Sequence, residues 1–308
     1  MAQVANKISI QKRLPLIIII TLVVVGVLLA FFSSSKSSTL LVPHVAKIKI
    51  SGTIDYSSGS LLGATTSVDQ YISLIDNARN DPSVKAVIIV FDSPGGTVSA
   101  SYDLYNAIKK LAAKKVVVSF AQGSMASGAY MAACPSTKIY ASPSALVGSI
   151  GVYTSVTSVE GLLGKLGIRV YTIKSGPLKD IGSPFRNMTA EEEKVMQEII
   201  DEYFRLFQNI VLENRKNVNS EVFTGRPYAP QEALKMGLID DILTLDEAIN
   251  KTKELAGLPY EAPVTELKPP QPSLLSLLFG TSTSKTPLSV PSILYLAMWP
   301  PPTYIVLP

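Results

Sequence analysis

The chain has 308 residues, a formal net charge of +4, one histidine (His44) and one cysteine (Cys134). Apolar residues make up 47% and charged residues 17%, against about 25% charged in an ordinary soluble domain. Composition therefore points to a membrane protein with a water-soluble part and away from nucleic acid. One cysteine excludes an internal disulfide. The Cys/His supply cannot fill a zinc site of about three or four protein ligands without carboxylates, and a histidine-based hydrolase would have to use His44.

Residues 1–13 carry Lys7, Lys12 and Arg13. The run Leu14–Phe32 is uninterrupted and apolar. As a helix it spans roughly 28 Å, close to the bilayer core, and it is longer than the apolar stretch of a cleaved signal peptide. A transmembrane anchor is expected there. The basic residues before it would hold residues 1–13 in the cytoplasm and place the rest outside the cell membrane. Residues 33–44, with SSSKSST, read as a tether.

Residues 45–258 alternate strand-like and helix-like stretches. Val45–Ile50 alternates as a half-buried strand does. Val68, Ile72, Ile75 and Ala78 share a helical face. Val84–Phe91 is nearly continuous and β-branched, which suits a buried parallel strand. Leu104, Ile108 and Leu111 form a second helical stripe, and Val116–Phe120 a further buried strand. Lys138–Tyr140 and Arg169–Ile173 are shorter strand candidates. Thr189 with Glu192 reads as the capping box of a long helix over 190–215. Thr244 with Glu247 opens another, which Gly257 ends. Repeated β-α units predict an α/β fold with a largely parallel sheet. Residues 259–308 hold 11 of the 21 prolines. They read as a tail with two short apolar islands, either loose or docked in a groove of the same protein.

Four segments carry chemistry-bearing residues. Asp92–Thr97 (DSPGGT) follows a buried strand. It is either a tight strand-to-helix turn or a turn whose free N–H groups bind an oxyanion or a phosphate. Gly123–Tyr130 (GSMASGAY) follows the next strand and offers Ser127 as an N-cap or as a nucleophile with the Gly128 N–H beside it. Ser124 is a second nucleophile candidate. Val147–Gly151 (VGSIG) is a glycine-bounded turn in which Ser149 could bond a catalytic partner. Lys174–Ile181 (KSGPLKDI) places Lys179 among Pro177, Leu178 and Ile181. A lysine can act as a base only if burial lowers its pKa by about 3 units. The neighbouring Asp180 carboxylate must then point away. A Ser-Lys pair needs no histidine, which suits this composition.

These four segments, with Thr224-Gly225-Arg226 and Gly237-Leu238-Ile239-Asp240, resemble the signal peptide peptidase A family of membrane-anchored serine proteases. The resemblance covers roughly residues 45–255. It implies a crotonase/Clp-protease-like fold of repeated ββα spirals, here preceded by one transmembrane helix. It also implies Ser127 as nucleophile, Lys179 as base, Ser149 as its support, and Gly96 with Gly128 as oxyanion hole. No metal or cofactor is implied. Substrates would be hydrophobic peptides such as released signal peptides, handled at the bilayer by a homo-oligomer. A same-fold protease specific for one membrane-protein partner, of the stomatin-specific type, is the alternative. Two further alternatives are a non-catalytic membrane scaffold and, on fold grounds, an acyl-CoA enzyme of the crotonase type. The family commonly reads M-A-A-S-G-G where this chain has M-A-S-G-A.

Overall fold

A computed structural model describes residues 42–56 and 66–269. The expected anchor over 14–32 and most of the tail lie outside them. Among the described residues no helix is long and apolar enough to cross a membrane.

The described chain is a mixed α/β fold built on one sheet. Strands β1 (His44–Ser51), β2 (Val84–Ser93) and β3 (Val116–Ala126) lie parallel at its centre. β2 is buried at eight of ten positions, as a parallel strand covered on both faces must be. One face is covered by α1 (Val68–Asn80) and α2 (Val98–Ala112). Val68, Leu74 and Ile75 pack there with Leu104, Ile108 and Leu111 in one apolar cluster. The other face meets α7 (Leu245–Leu255), whose Ala248 packs with Ile88, Val90 and Phe120.

β3 controls where the site forms. Its first half, Val118–Ala121, pairs with β4 (Lys138–Ala141). Its second half, Ser124–Ala126, pairs instead with β5 (Leu146–Gly148). Between the halves the register to β2 shifts, so that Phe91 opposes Ala121 while Ser93 opposes Met125. Such a bulge bends a strand and re-aims the residues beyond it. The Asp92 carboxylate holds the bend by accepting the Ser124 N–H at 3.3 Å. The bent end of β3 delivers Ser127 to the mouth of α3 (Gly128–Ala133).

The remaining elements are short except for one. α4 spans Glu160–Lys165 and α5 Ala190–Asn214. β6 (Pro227–Tyr228), α6 (Pro230–Lys235) and β7 (Asp241–Ile242) close the sheet at β5 and β4. Both capping boxes form as expected, at Thr189–Glu192 and Thr244–Glu247. Arg215 pins the end of α5 to this region through Asp240 Oδ2 (2.9 Å) and Gly237 O (3.1 Å).

Two expectations are corrected. Arg169–Ile173 is not a strand: no strand pairs with it, and Tyr171 and Ile173 are 80% and 100% exposed. Its alternation is real, but alternation without a neighbouring edge leaves backbone groups in water. The folded part also runs past the expected boundary at 258. β8 (Val264–Leu267) pairs in parallel with β1, because two prolines, 259 and 263, only turn the chain back to the sheet edge.

Candidate active site

Ser127 is held in a backbone conformation that L residues avoid, with φ 55° and ψ −120°. Such strain costs roughly 1–3 kcal/mol and persists only where packing fixes it. Here the fixing groups are visible. The Ser127 N–H donates to Gly148 O at 2.6 Å, and the Ser127 carbonyl accepts Met131 N–H at 2.9 Å as α3 begins. The side chain is 1% exposed, and its Oγ has no hydrogen-bond partner. It shares this state with the hydroxyls of Thr97, Ser101 and Ser124, so what sets Ser127 apart is its strained backbone.

The two glycines beside it are obligatory on steric grounds. A Cβ on Gly128 would fall 2.1 Å from Ser101 Oγ and 3.2 Å from the Gly96 nitrogen. A Cβ on Gly96 would fall 1.8 Å from Ile54 O. Ile54 bridges the turn by donating to Gly95 O at 2.9 Å and accepting Thr97 N–H at 3.1 Å. The N–H groups of Gly96 and Gly128 find no acceptor among the described residues. Two unpartnered N–H donors therefore stand beside an unpartnered Oγ. This is the donor set that a negatively charged tetrahedral oxygen requires.

Among the described residues, Ser149 is the other non-glycine residue with positive φ, at 52°. Its N–H donates to Arg226 O at 3.0 Å and its Oγ to Gly225 O at 3.1 Å. Ser127 and Ser149 line one cavity of about 640 Å³ whose walls include Val152, Tyr153, Ile200, Phe204 and Phe223. The lining is mostly apolar, as a pocket for an apolar side chain should be. Ser124 does not line it; that residue sits within β3 with its Oγ buried.

Lys179 is not brought to this cavity. It lies in an exposed turn and is absent from the lining residues. The expected apolar burial of its amine is thus not met within the single chain. The physical reason is that residues 151–189 form an arm with one short helix and no strand. The Asp180 carboxylate is paired with Lys174 (2.5 Å) and Arg186 (2.8 Å). Those contacts, the Arg186 hydrogen bond first, hold it well below the usual carboxylate range. Cys134 is fully buried, and burial pushes its thiol up to about 12, which leaves it inert as a nucleophile. Sequence reasoning did not single out Ser101 or Ile54. Their roles are to forbid side chains at positions 128 and 96, and no local pattern announces such a contact.

Residues 109–259 match the sequence profile of Peptidase family S49, and residues 64–148 that of Clp protease. A protein of Methanocaldococcus jannaschii named as a protease is 41% identical over 221 residues, covering 70% of this chain and 71% of its own. The chain belongs to peptidase family S49. A Synechocystis protein named as a protease is 33% identical over 79% of this chain and 85% of its own length. An Enterococcus faecium protein named as a signal peptide peptidase is 31% identical, with 73% and 67% covered. The chain spans only 41% of protease 4 from Salmonella typhi, at 32% identity. Among solved structures, a membrane-bound stomatin-specific protease superposes with a TM-score of 0.48 at 18% identity. It covers 78% of this chain and 97% of that one. As a member of family S49 the chain is a peptide-bond hydrolase of the serine class, on a mixed α/β fold in which residues 64–148 match the Clp protease profile.

Proposed function

We propose that this peptidase cleaves hydrophobic, extended peptides, of which released signal peptides are the type, with Ser127 as nucleophile and Lys179 as base. The observation that carries the reading is the strained, buried Ser127 whose Oγ lacks a partner at a cavity with apolar walls. Neutral Lys179 takes the proton of Ser127 Oγ as that oxygen attacks the peptide carbonyl. The N–H groups of Gly96 and Gly128 stabilise the resulting oxyanion. Lys179 then protonates the leaving amine, and water releases the acyl group. Ser149 supports the lysine from the cavity wall.

The base has to be desolvated before it can act at neutral pH. The arm that carries it exposes Leu166 (63%), Tyr171 and Ile173. Self-association that covers these side chains would bury the lysine turn as well, so a homo-oligomer is the working form in this reading. The apolar run Leu14–Phe32 would anchor the assembly in the bilayer where such peptides are released, with the catalytic part outside the cytoplasm.

The test is hydrolysis of a quenched apolar peptide by the detergent-solubilised full chain. Wild type and Ser124→Ala should cleave it; Ser127→Ala and Lys179→Ala should not. Full activity in Ser127→Ala would remove the nucleophile assignment. An assembled but inactive wild type would favour a protease restricted to one protein partner.

A further inference from the structure

Four charged side chains hold the Lys179 turn, and the proposed reaction uses none of them. The Arg186 guanidinium lies between two carboxylates. Its Nε donates to Asp180 Oδ2 at 2.9 Å and its Nη2 to Asp180 Oδ1 at 2.8 Å. On the other side Nη1 donates to Glu192 Oε2 at 2.8 Å, and Nη2 also reaches Glu192 Oε1. Lys174 donates to the same Asp180 Oδ1 at 2.5 Å and to Pro177 O at 2.7 Å. Glu192 is 2% exposed. It is also the capping-box residue of α5, accepting the Thr189 N–H at 2.9 Å. Paired two-point contacts of this kind fix orientation as well as charge, and only arginine supplies them.

The charges of Lys174, Asp180, Arg186 and Glu192 sum to zero. Lys179 is next in the chain to Asp180 yet stands outside this set. The side chains that donate to the Asp180 carboxylate are those of Lys174 and Arg186, and Lys179 is not among them. From α4, Glu160 faces the same stretch by accepting the Asn187 N–H at 2.8 Å. The clasp also ties the lysine turn to α5, whose Ile200 and Phe204 line the Ser127 cavity.

We propose that Arg186, assisted by Lys174, is a positioning residue. It sequesters the Asp180 carboxylate from the Lys179 amine and fixes the lysine turn on the helix that borders the serine cavity. The proposal rests on Lys179 being the base. With Arg186 removed, the freed carboxylate beside Lys179 stabilises the ammonium form. An opposite charge within about 4–6 Å raises an amine's pKa by about one unit or more. The base is then protonated over more of the working pH range.

The experiment compares kcat and KM over about pH 6 to 10 for the detergent-solubilised full chain, with the quenched apolar peptide as probe. Arg186→Gln is expected to lose about tenfold in kcat near neutral pH with KM within about twofold. Its apparent pKa should move up by about one unit, so that activity returns at high pH. Arg186→Lys should recover part of the loss. In Arg186→Gln/Asp180→Asn the carboxylate next to Lys179 in the chain is gone, leaving only that of Glu192 on α5 unpaired, and the apparent pKa should fall back from the Arg186→Gln value toward wild type. An equal loss at every pH, with the apparent pKa unmoved, would reduce the clasp to a structural brace and overturn the proposal. If Arg186→Gln fails to fold, Asp180→Asn alone decides: its apparent pKa must stay or fall, and a rise overturns the proposal. Lys179→Ala separates the two readings. Retained activity there removes the base assignment and the clasp's role together. Lost activity there, with an unshifted Arg186→Gln profile, removes the clasp alone.

Discussion

The serine half and the lysine half of this molecule are built in opposite ways. Around Ser127 every constraint is internal. β3 bends over Asp92, Gly148 O holds the Ser127 N–H, and Ser101 and Ile54 leave no room for side chains at 128 and 96. The Lys179 half has almost no apolar packing of its own. Its arm places Tyr171 and Ile173 in solvent and is held by ion pairs instead. The lesson is a division of labour. A preorganised oxyanion site needs sub-ångström rigidity, which a close-packed core supplies. A lysine base needs burial, which this arm can gain only from something that covers it.

The sharpest way to break the comparison is at Ser127 itself. Ser127→Gly should abolish peptidase activity, a loss of about 10⁴-fold or more. It should at the same time raise stability by up to about 1 kcal/mol, because glycine accepts φ 55° without strain. A thermal scan beside the activity assay reads both, and a destabilised Ser127→Gly would mean the backbone there is not strained.

Next in size is Gly128→Ala. Its Cβ would collide with Ser101 Oγ, displacing the N–H donor, and kcat should fall by about 10²–10³-fold with the fold retained. The double change Gly128→Ala/Ser101→Gly should recover part of that loss. No recovery would show that the collision is not what matters.

The third test leaves catalysis alone. Asp240 accepts from Arg215 and from the Ile139 N–H (2.8 Å), and these contacts outweigh burial in holding its carboxyl below the usual range. Asp240→Ala leaves the nearly buried Arg215 without its anion and should cost about 3 kcal/mol in a denaturant titration. The arm should respond to acid differently. The Glu192 carboxyl is lowered from 4.5 to about 2, chiefly by Arg186. A lowered folded-state value means its stabilisation is complete above about pH 4.5 and is lost as pH falls toward 2. Hydrogen exchange followed down that range should show the first turn of α5 opening before β2. Simultaneous opening would mean that the two regions are not independent.

Much of the serine half was legible in the sequence because its signals are local. The β-branched run of β2, the 3.6-residue stripes of α1 and α2 and both capping boxes each read correctly from neighbours in the chain. The small residues of GSMASG gave the strand-to-helix junction and Ser127 at its N-cap. Elements β5, β6 and β7, of two or three residues, carry too few side chains to show a period. β8 was hidden because the prolines at 259 and 263 look like the start of a tail, whereas they shape a return to β1. Arg169–Ile173 looked like a strand because alternation records which side chains share a face. It does not record whether an edge exists to pair with. The apolar burial expected for Lys179 from Pro177, Leu178 and Ile181 is not met in the single chain, because neighbours in sequence do not show what lies over the arm.

The central claim is that Lys179 becomes a base only when the arm is covered. The direct measurement is specific activity as a function of protein concentration, with the assembled fraction followed by sedimentation on the same detergent-solubilised samples. Wild type should lose activity on dilution in step with the assembled fraction. Ile173→Asp should stay dissociated and inactive at concentrations where wild type works. Constant specific activity in dissociated wild-type chains would contradict the account, because it would place the base beside Ser127 without any cover for the arm.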